Sequence, residues 1–122
     1  MKYSALVLTQ KSRNHLKSIF PPKYPDFIGH HITLKFGLDK KELAAPLPDR
    51  VSVVGYVDDG EGLEALLVAL NGDIDRPDGS RYHITWSLDR SLGRKPVHSN
   101  NIINNAKETM DIKIDVTSEI LG

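Results

Sequence analysis

The chain has 122 residues, a length that suits one domain built around its own hydrophobic core. Apolar residues make up 39% and charged residues 26%, which is the composition of a folded globular protein and excludes a disordered chain. Lys plus Arg and Asp plus Glu both total 16, so the broad positive field that holds proteins on long nucleic acids or anionic lipid is absent.

The first third of the chain predicts two strands and one helix. Residues 3–9 are rich in apolar and β-favouring side chains and predict a strand. Residues 10–20 carry apolar side chains at helical spacing and end at two prolines, which predicts a short amphipathic helix. The proline-rich segment 21–26 predicts an extended connection. Residues 27–37 alternate apolar and polar side chains and predict the next strand.

The middle of the chain predicts a hairpin. Residues 40–45 favour one or two helical turns before two prolines. The β-branched run 50–57 predicts a strand, and residues 58–62 predict a turn. Residues 63–70 are apolar enough for a buried strand, and their periodicity also suits a helix. Pairing with the preceding strand through the tight turn favours the strand.

The last third of the chain contains the second polar-faced strand. Residues 71–80 predict a loop, and the alternation in 82–88 predicts a strand. A basic, glycine-containing loop follows at 90–96. Residues 97–107 fit a helix, and the alternation in 110–116 predicts a closing strand.

The most informative feature is a duplicated triplet, HIT, at residues 31–33 and 83–85. Each copy is followed by an apolar residue and lies in a predicted strand. Residues two apart on a strand point to the same face with Cα atoms about 6.5 to 7 Å apart, so the histidine and threonine of one triplet can reach one phosphate. Imidazole transfers protons near neutral pH, and the threonine hydroxyl can donate to a phosphate oxygen. Two copies supply both halves of an acid–base mechanism without a metal.

These triplets resemble the motif pair of the 2H phosphoesterases, a superfamily with two His-x-Thr/Ser-x motifs on facing strands. The chain is most similar to the compact branch of Swiss-army-knife RNA-repair-like and 2′-5′ RNA ligase-like proteins. The resemblance implies one α+β domain over 1–122, with two pseudo-symmetric lobes of antiparallel sheet, flanking helices and a central cleft. The lobes would span roughly 1–45 and 50–122.

The resemblance also implies an activity, the hydrolysis of a phosphodiester in a 2′,3′-cyclic phosphate, a 2′-5′ linkage or a small cyclic nucleotide. By motif matching, His31 and His83 would be the catalytic acid–base pair, with the two roles unassigned, and Thr33 and Thr85 would bind the phosphate. The expected partner is a nucleotide or an RNA end, and neither a membrane nor a long duplex. We expect a cytoplasmic monomer.

No metal and no other cofactor is expected. The chain has no cysteine, which excludes a thiolate zinc site, and no carboxylate stands at ligand spacing from the triplets. His30 and His31 are adjacent, and neighbouring residues on a strand point to opposite faces. The two are therefore not expected to share a ligand.

Five further residues are candidate substrate contacts. Lys35 and Ser87 follow the triplets on the same predicted faces and would add a charge and a hydroxyl. Arg94 and Lys95 lie in the basic loop after the second motif, where a segment can close over an anion. Tyr82 flanks the second motif and would stack on a base. The alternatives are solvation for the polar side chains and core packing for the tyrosine.

Other classes of function stay open at this point. One is a non-catalytic nucleotide or RNA-end binding module with the same fold, and another is a phage or antiviral enzyme that degrades cyclic oligonucleotides. A structural domain without a ligand is the third. Two intact triplets favour an enzyme, because binding alone needs hydrogen-bond donors and not two titrating imidazoles.

Overall fold

A computed structural model describes residues 2–39 and 41–122, which form eight β-strands and two α-helices. All strand pairs are antiparallel, so the predicted α+β class is confirmed. The elements are β1 Tyr3–Leu8, α1 Gln10–Ile19, β2 Asp26–Phe27, β3 His31–Phe36, β4 Val51–Asp58, β5 Leu63–Leu70, β6 His83–Leu88, α2 Ser99–Ile102, β7 Ile112–Ile114 and β8 Val116–Leu121. Short 3-10 turns lie at Arg90–Leu92, Pro96–His98 and Ile103–Asn105.

The strands form one curled sheet. Their order is β7-β4-β5-β6-β3-β1-β8, and β2 pairs with β6 beside β3. The two outermost strands are consecutive in the chain, since β7 ends at Ile114 and β8 begins at Val116. Consecutive Cα atoms are about 3.8 Å apart, so the two edges of the sheet must come close together. The sheet therefore curls into a half-barrel.

The sheet has two halves that meet between β3 and β6. Their antiparallel register is set by the pair Ile32 and Ile84. One half contains β8, β1 and β3, and the other contains β7, β4, β5, β6 and β2. The halves of the sheet do not coincide with the halves of the sequence, because the C-terminal β8 pairs with β1 and the early β2 pairs with β6.

Two apolar clusters cover the two faces of the sheet. The inner cluster draws on strands from both ends of the sheet and on Leu16 of α1, and the outer cluster includes Ile102 and Ile103 from the α2 region. β5 contributes Leu66 to the inner cluster and Leu67 to the outer one. Burial on both faces makes β5 apolar throughout, which is why its periodicity alone did not separate strand from helix. The predicted strand is confirmed.

Helix α1 follows the prediction closely. The Thr9 hydroxyl accepts a hydrogen bond from the Ser12 backbone N–H at 3.2 Å and caps the first turn. Leu16 is fully buried against the inner cluster. The prolines at 21 and 22 prevent another turn, because they lack the backbone donor that an interior helical residue needs.

One predicted helix is absent, and another is formed only in part. Residues 41–45 contain no helix, and Lys40 lies outside the described residues. The Asp39 carboxylate accepts hydrogen bonds from the backbone N–H groups of Lys41 and Glu42, which holds a local turn in place of a helix. The predicted helix 97–107 is divided into α2 and two 3-10 turns. Serine and asparagine, which are poor helix formers, occupy much of this segment.

The closing strand predicted for 110–116 is two strands on opposite edges. β7 pairs with β4, whereas β8 pairs with β1. The change occurs at Asp115, whose backbone N–H donates to the Ser12 hydroxyl at 2.8 Å and whose carbonyl accepts from the Thr9 backbone N–H at 3.2 Å. These contacts with the start of α1 take Asp115 out of the ladder. In residues 2–39 and 41–122, no helix is long and apolar enough to cross a membrane.

Candidate active site

The side chains of His31, Thr33, His83 and Thr85 line one pocket of about 360 Å³ on the outer side of the sheet. This volume lies at the small end of the range for ligand sites, about 300 to 1,000 Å³. The α2 region and the ends of β1 and β3 supply most of the remaining wall. The other lining residues are Tyr3, Ile28, Phe36, Arg76, Pro96, Val97 and Asn100.

The antiparallel pairing of β3 with β6 brings the two triplets together. Ile32 and Ile84 are fully buried in the inner cluster and face each other across the two strands. The residues on either side of each isoleucine therefore point to the outer face. Antiparallel register also places the histidine of each triplet beside the threonine of the other. A histidine and a threonine that are neighbours across the two strands thus come from different triplets.

The segment before β3 is fixed against β6. The backbone N–H of Ile28 donates to the carbonyl of Trp86 at 2.9 Å, and that of Gly29 donates to the carbonyl of Thr85 at 3.0 Å. Gly29 has a φ of 44°, and a Cβ atom there would lie 2.5 Å from the Phe27 ring and 2.9 Å from the Trp86 ring. A glycine is required at this position, because no side chain fits between the two aromatic rings.

A β-bulge follows the first triplet and changes which side chains reach the pocket. β1 pairs with the residues on either side of Leu34, which itself has no partner. One extra residue reverses the alternation beyond it. Lys35 is therefore turned away from the pocket, with its ammonium 3.2 Å from the Glu42 carboxylate, and Phe36 lines the pocket in its place. The predicted faces of Lys35 and Phe36 are exchanged.

The second triplet has a bulge at the equivalent position. β5 pairs with the residues on either side of Trp86 and leaves Trp86 unpaired. Ser87 is consequently turned to the inner face, where it is fully buried and donates to the Glu64 carboxylate at 2.6 Å. Leu88 packs into the outer cluster. The prediction that Ser87 shares the face of His83 is wrong for the same reason as for Lys35.

His83 has one ring nitrogen held by the backbone. Its Nδ1 lies 2.7 Å from the carbonyl oxygen of Arg81. A carbonyl only accepts, so Nδ1 carries a proton and Nε2 remains for exchange with a ligand. Burial of the ring is the main cause that lowers the pKa of His83, and the nearby Arg76 lowers it further, while the Arg81 carbonyl opposes the shift.

His31 is neutral near neutral pH. Burial, and then the charges of His30 and His83, lower the pKa of His31 to about 4. Its Nδ1 lies 3.0 Å from Nδ1 of His30. The prediction that His30 points away from His31 is wrong, because His30 precedes β3 and does not follow strand alternation. Among residues 2–39 and 41–122, no group of three His, Asp or Glu side chains could hold a metal ion.

Ser99 was not identified from the sequence as a site residue. It begins α2, is fully buried, and its hydroxyl lies 2.8 Å from the hydroxyl of Thr85. The contact orients the threonine on the pocket wall. No local pattern indicates Ser99, because its place depends on how α2 packs against β6.

Arg76 is the second residue that the sequence analysis missed. Its Nε donates to Asp78 at 2.9 Å and its Nη2 donates to the side chain of Asn100 at 3.0 Å. The guanidinium carbon lies 5.3 Å from the centre of the Phe36 ring. The sequence carries one available signal, since Arg76 is the single basic residue in the acidic loop 71–80.

Three other candidate contacts are absent from the pocket wall. Tyr82 packs against the inner cluster. Arg94 donates to the Asp59 carboxylate at 2.5 Å. Lys95 is exposed, and its backbone N–H donates to Nδ1 of His98 at 3.1 Å. Arg94 and Lys95 therefore do not reach the triplets, whereas Pro96 at the end of the basic loop lines the pocket and its carbonyl accepts from the Thr85 hydroxyl at 3.4 Å.

Comparison with known proteins gives no relative for this chain. No protein-family model matches it, and no curated protein or solved structure matches it either.

Proposed function

We propose that the protein is a metal-independent phosphodiesterase of the 2H type that acts on a nucleotide or an RNA end. The observation that carries the proposal is the convergence of both histidines and both threonines on one pocket. If the two histidines were only structural, there would be no reason for each to be followed by a threonine that lines the same pocket. Each triplet is followed by a bulge at the equivalent position, which supports the view that the two triplets form one site.

In the proposed reaction a phosphodiester binds between the triplets, with the hydroxyls of Thr33 and Thr85 donating to its non-bridging oxygens. A water oxygen attacks phosphorus while one histidine takes the water proton. The bond from phosphorus to the leaving oxygen breaks, and the other histidine gives that oxygen a proton. For a 2′,3′-cyclic phosphate the product is a phosphomonoester with one free hydroxyl.

The surroundings of the histidines favour one assignment of roles. His31 is assigned as the base because its lowered pKa of about 4 keeps it in the neutral form, which can accept a proton. His83 is the better acid because its Nδ1–H donates to the Arg81 carbonyl, a contact that stabilises the imidazolium. Activity should fall as the pH drops toward the pKa of His31 and as it rises through the lowered pKa of His83. The two limbs of this pH profile report the coupled titration of both histidines and not the pKa of either residue alone.

The shape of the pocket favours a small nucleotide unit. Tyr3 and Phe36 lie on its wall with ring centres 5.7 Å apart, and 46% of Phe36 is exposed. Exposed aromatic rings are surfaces on which a base can stack. The balanced charge of the chain favours a short ligand over a long duplex. The two lobes of the family would correspond here to the two halves of one sheet, each supplying one triplet.

The test is hydrolysis in the presence of EDTA. Candidate substrates are 2′,3′-cyclic nucleotides, 2′-5′ dinucleotides and cyclic dinucleotides, the last of which examines the antiviral alternative. Replacing His31 or His83 by alanine should lower turnover by roughly 10² to 10⁴. Thr33→Val or Thr85→Val should cost less, about 1.5 to 3 kcal/mol for one hydrogen bond to a charged group.

The matched control is His15→Ala, which removes an exposed histidine of α1 outside the pocket and should leave turnover unchanged. Full activity in both folded triplet mutants would contradict the mechanism, as would loss in EDTA with recovery in zinc or manganese. Binding of a nucleotide 2′-phosphate without any hydrolysis would identify a binding module.

A further inference from the structure

Arg76 is a charged residue in an unusual position. Only 3% of its side chain is exposed, although it lies in the middle of the surface loop 71–80 and lines the pocket. Removing a guanidinium from water is unfavourable unless its donors and its charge are matched. The contacts of Arg76 therefore show whether other residues of the protein satisfy all of its hydrogen-bond donors and balance its charge.

The protein satisfies Arg76 in part. Nε donates to Asp78 and Nη2 donates to Asn100, while Nη1 has no hydrogen-bond partner in the parts of the chain that the structure describes. The Asp78 side chain is 47% exposed, so water screens its charge more than that of the buried guanidinium. A guanidinium has five N–H donors in a planar fork. Arg76 thus keeps donors and positive charge for the pocket.

The position of Arg76 is to one side of the two triplets. Its guanidinium stacks near Phe36, which follows Thr33 along β3. Thr33 lies beside His83 in the antiparallel register, so Arg76 stands at the His83 end of the site. Its two contacts with Asp78 and Asn100 hold the fork rigidly there. A rigid guanidinium is suited to bind a phosphate through two parallel hydrogen bonds.

We propose that Arg76 forms a subsite for a second phosphate of the substrate, next to the phosphate that is cleaved. This inference rests on the proposed function, because the triplets define the first phosphate position. The substrate class is then a nucleotide or RNA end that carries a further phosphate, such as a 5′-phosphate on a 2′,3′-cyclic nucleotide. Nucleoside cyclic phosphates without that group are poorer substrates.

The first test is binding, followed by calorimetry, of adenosine 2′-phosphate and adenosine 2′,5′-bisphosphate. The parent protein should bind the bisphosphate more tightly by about 10- to 100-fold, the effect of a hydrogen-bonded contact between two charged groups. Arg76→Gln should lower the affinity for the bisphosphate much more than that for the monophosphate, so that the preference is lost. Arg94→Gln, which removes a part-buried arginine outside the pocket, should retain the preference.

Asp78→Asn tests the inference where Arg76→Gln fails to fold. It keeps the guanidinium and removes its counter-charge, so affinity for the bisphosphate should rise and that for the monophosphate should stay within about 2-fold. If Arg76 only anchors the loop, Asp78→Asn weakens both ligands alike, and that result overturns the subsite. Equal affinity of the parent protein for both ligands overturns it as well.

Hydrolysis separates this inference from the proposed function. If the protein prefers the bisphosphate but cleaves no phosphodiester, the subsite is supported and the proposed activity is wrong. If the protein cleaves 2′,3′-cyclic AMP and its 5′-phosphorylated form with equal kcat/KM, the proposed activity is supported and the subsite is wrong.

Discussion

The surroundings of His31 keep its imidazole neutral. Its ring is partly buried, the His30 ring lies beside it, and the charge of His83 also acts on it, and all three features disfavour a positive charge. The residue is therefore neutral over a wide pH range while it faces a pocket. A neutral imidazole that faces a pocket is available to accept a proton.

We predict that the lowered pKa of His31 makes folding stability depend on pH. The unfolded value is about 6.5 and the folded value is about 4. Below about pH 6.5 the unfolded chain binds a proton that the folded chain does not, so the free energy of unfolding decreases as the pH falls toward 4. After allowance for partial exposure, His31 accounts for about 1 to 3 kcal/mol of this loss.

Urea unfolding at pH 7.5 and pH 4.5 measures the effect. His31→Asn removes the titrating group and should reduce the difference between the two pH values. His15→Asn, at an exposed position on α1, should leave it unchanged. A difference in His31→Asn as large as in the parent protein would refute the assignment.

At the scale of elements, the bulge in β6 creates a buried polar junction. Ser87 is turned inward by the bulge and donates to Glu64 of β5. The Tyr56 hydroxyl of β4 and the Lys23 backbone N–H donate to the same carboxylate at 2.5 and 2.9 Å. Burial, together with this carboxylate, raises the pKa of Tyr56. One buried carboxylate thus joins three strands to the proline-rich connection.

We predict that Glu64→Leu lowers the free energy of unfolding by about 3 to 5 kcal/mol, because one buried and two part-buried donors lose their acceptor. Glu64→Gln keeps the volume and one acceptor oxygen and should cost less. Glu61→Gln, at an exposed position in the β4–β5 turn, serves as the control and should change stability by less than about 0.5 kcal/mol. Equal stability of Glu64→Leu and the parent protein, measured by urea unfolding, would show that the junction does not stabilise the fold.

At the scale of the whole molecule, the junction between β3 and β6 holds both the sheet and the site. Ile32 and Ile84 pack in the inner cluster directly beneath the triplets. Their pairing joins the two halves of the sheet and sets the register that places each histidine beside the opposite threonine. Stability and site geometry therefore depend on the same contact.

We predict that Ile84→Ala lowers the free energy of unfolding by about 2 to 5 kcal/mol through loss of buried surface and formation of a cavity. It should also weaken binding of adenosine 2′-phosphate, because the register of the triplets is no longer fixed. Ile120→Ala in the edge strand β8, where the side chain is 37% exposed, should cost less than about 1 kcal/mol. Unimpaired ligand binding in a folded Ile84→Ala protein would show that the pair does not position the site.

Features that depend on neighbouring residues could be predicted from the amino-acid sequence. The strands at the two triplets, the β4–β5 hairpin and α1 follow from alternation, turn residues and helix-ending prolines. The same alternation indicated that the histidine and threonine of each triplet share a face. These features are local, because one backbone period relates the side chains involved.

The other side chains that reach the pocket are set by contacts between distant parts of the chain. The bulges at Leu34 and Trp86 exist through pairing with β1 and β5, and they turn Lys35 and Ser87 away. Arg76 enters the pocket through a loop that no period describes. The division of 110–116 into two edge strands likewise depends on contacts with α1 about 100 residues earlier in the chain. Each of these outcomes is set by long-range contacts, and a pattern of neighbouring residues does not contain them.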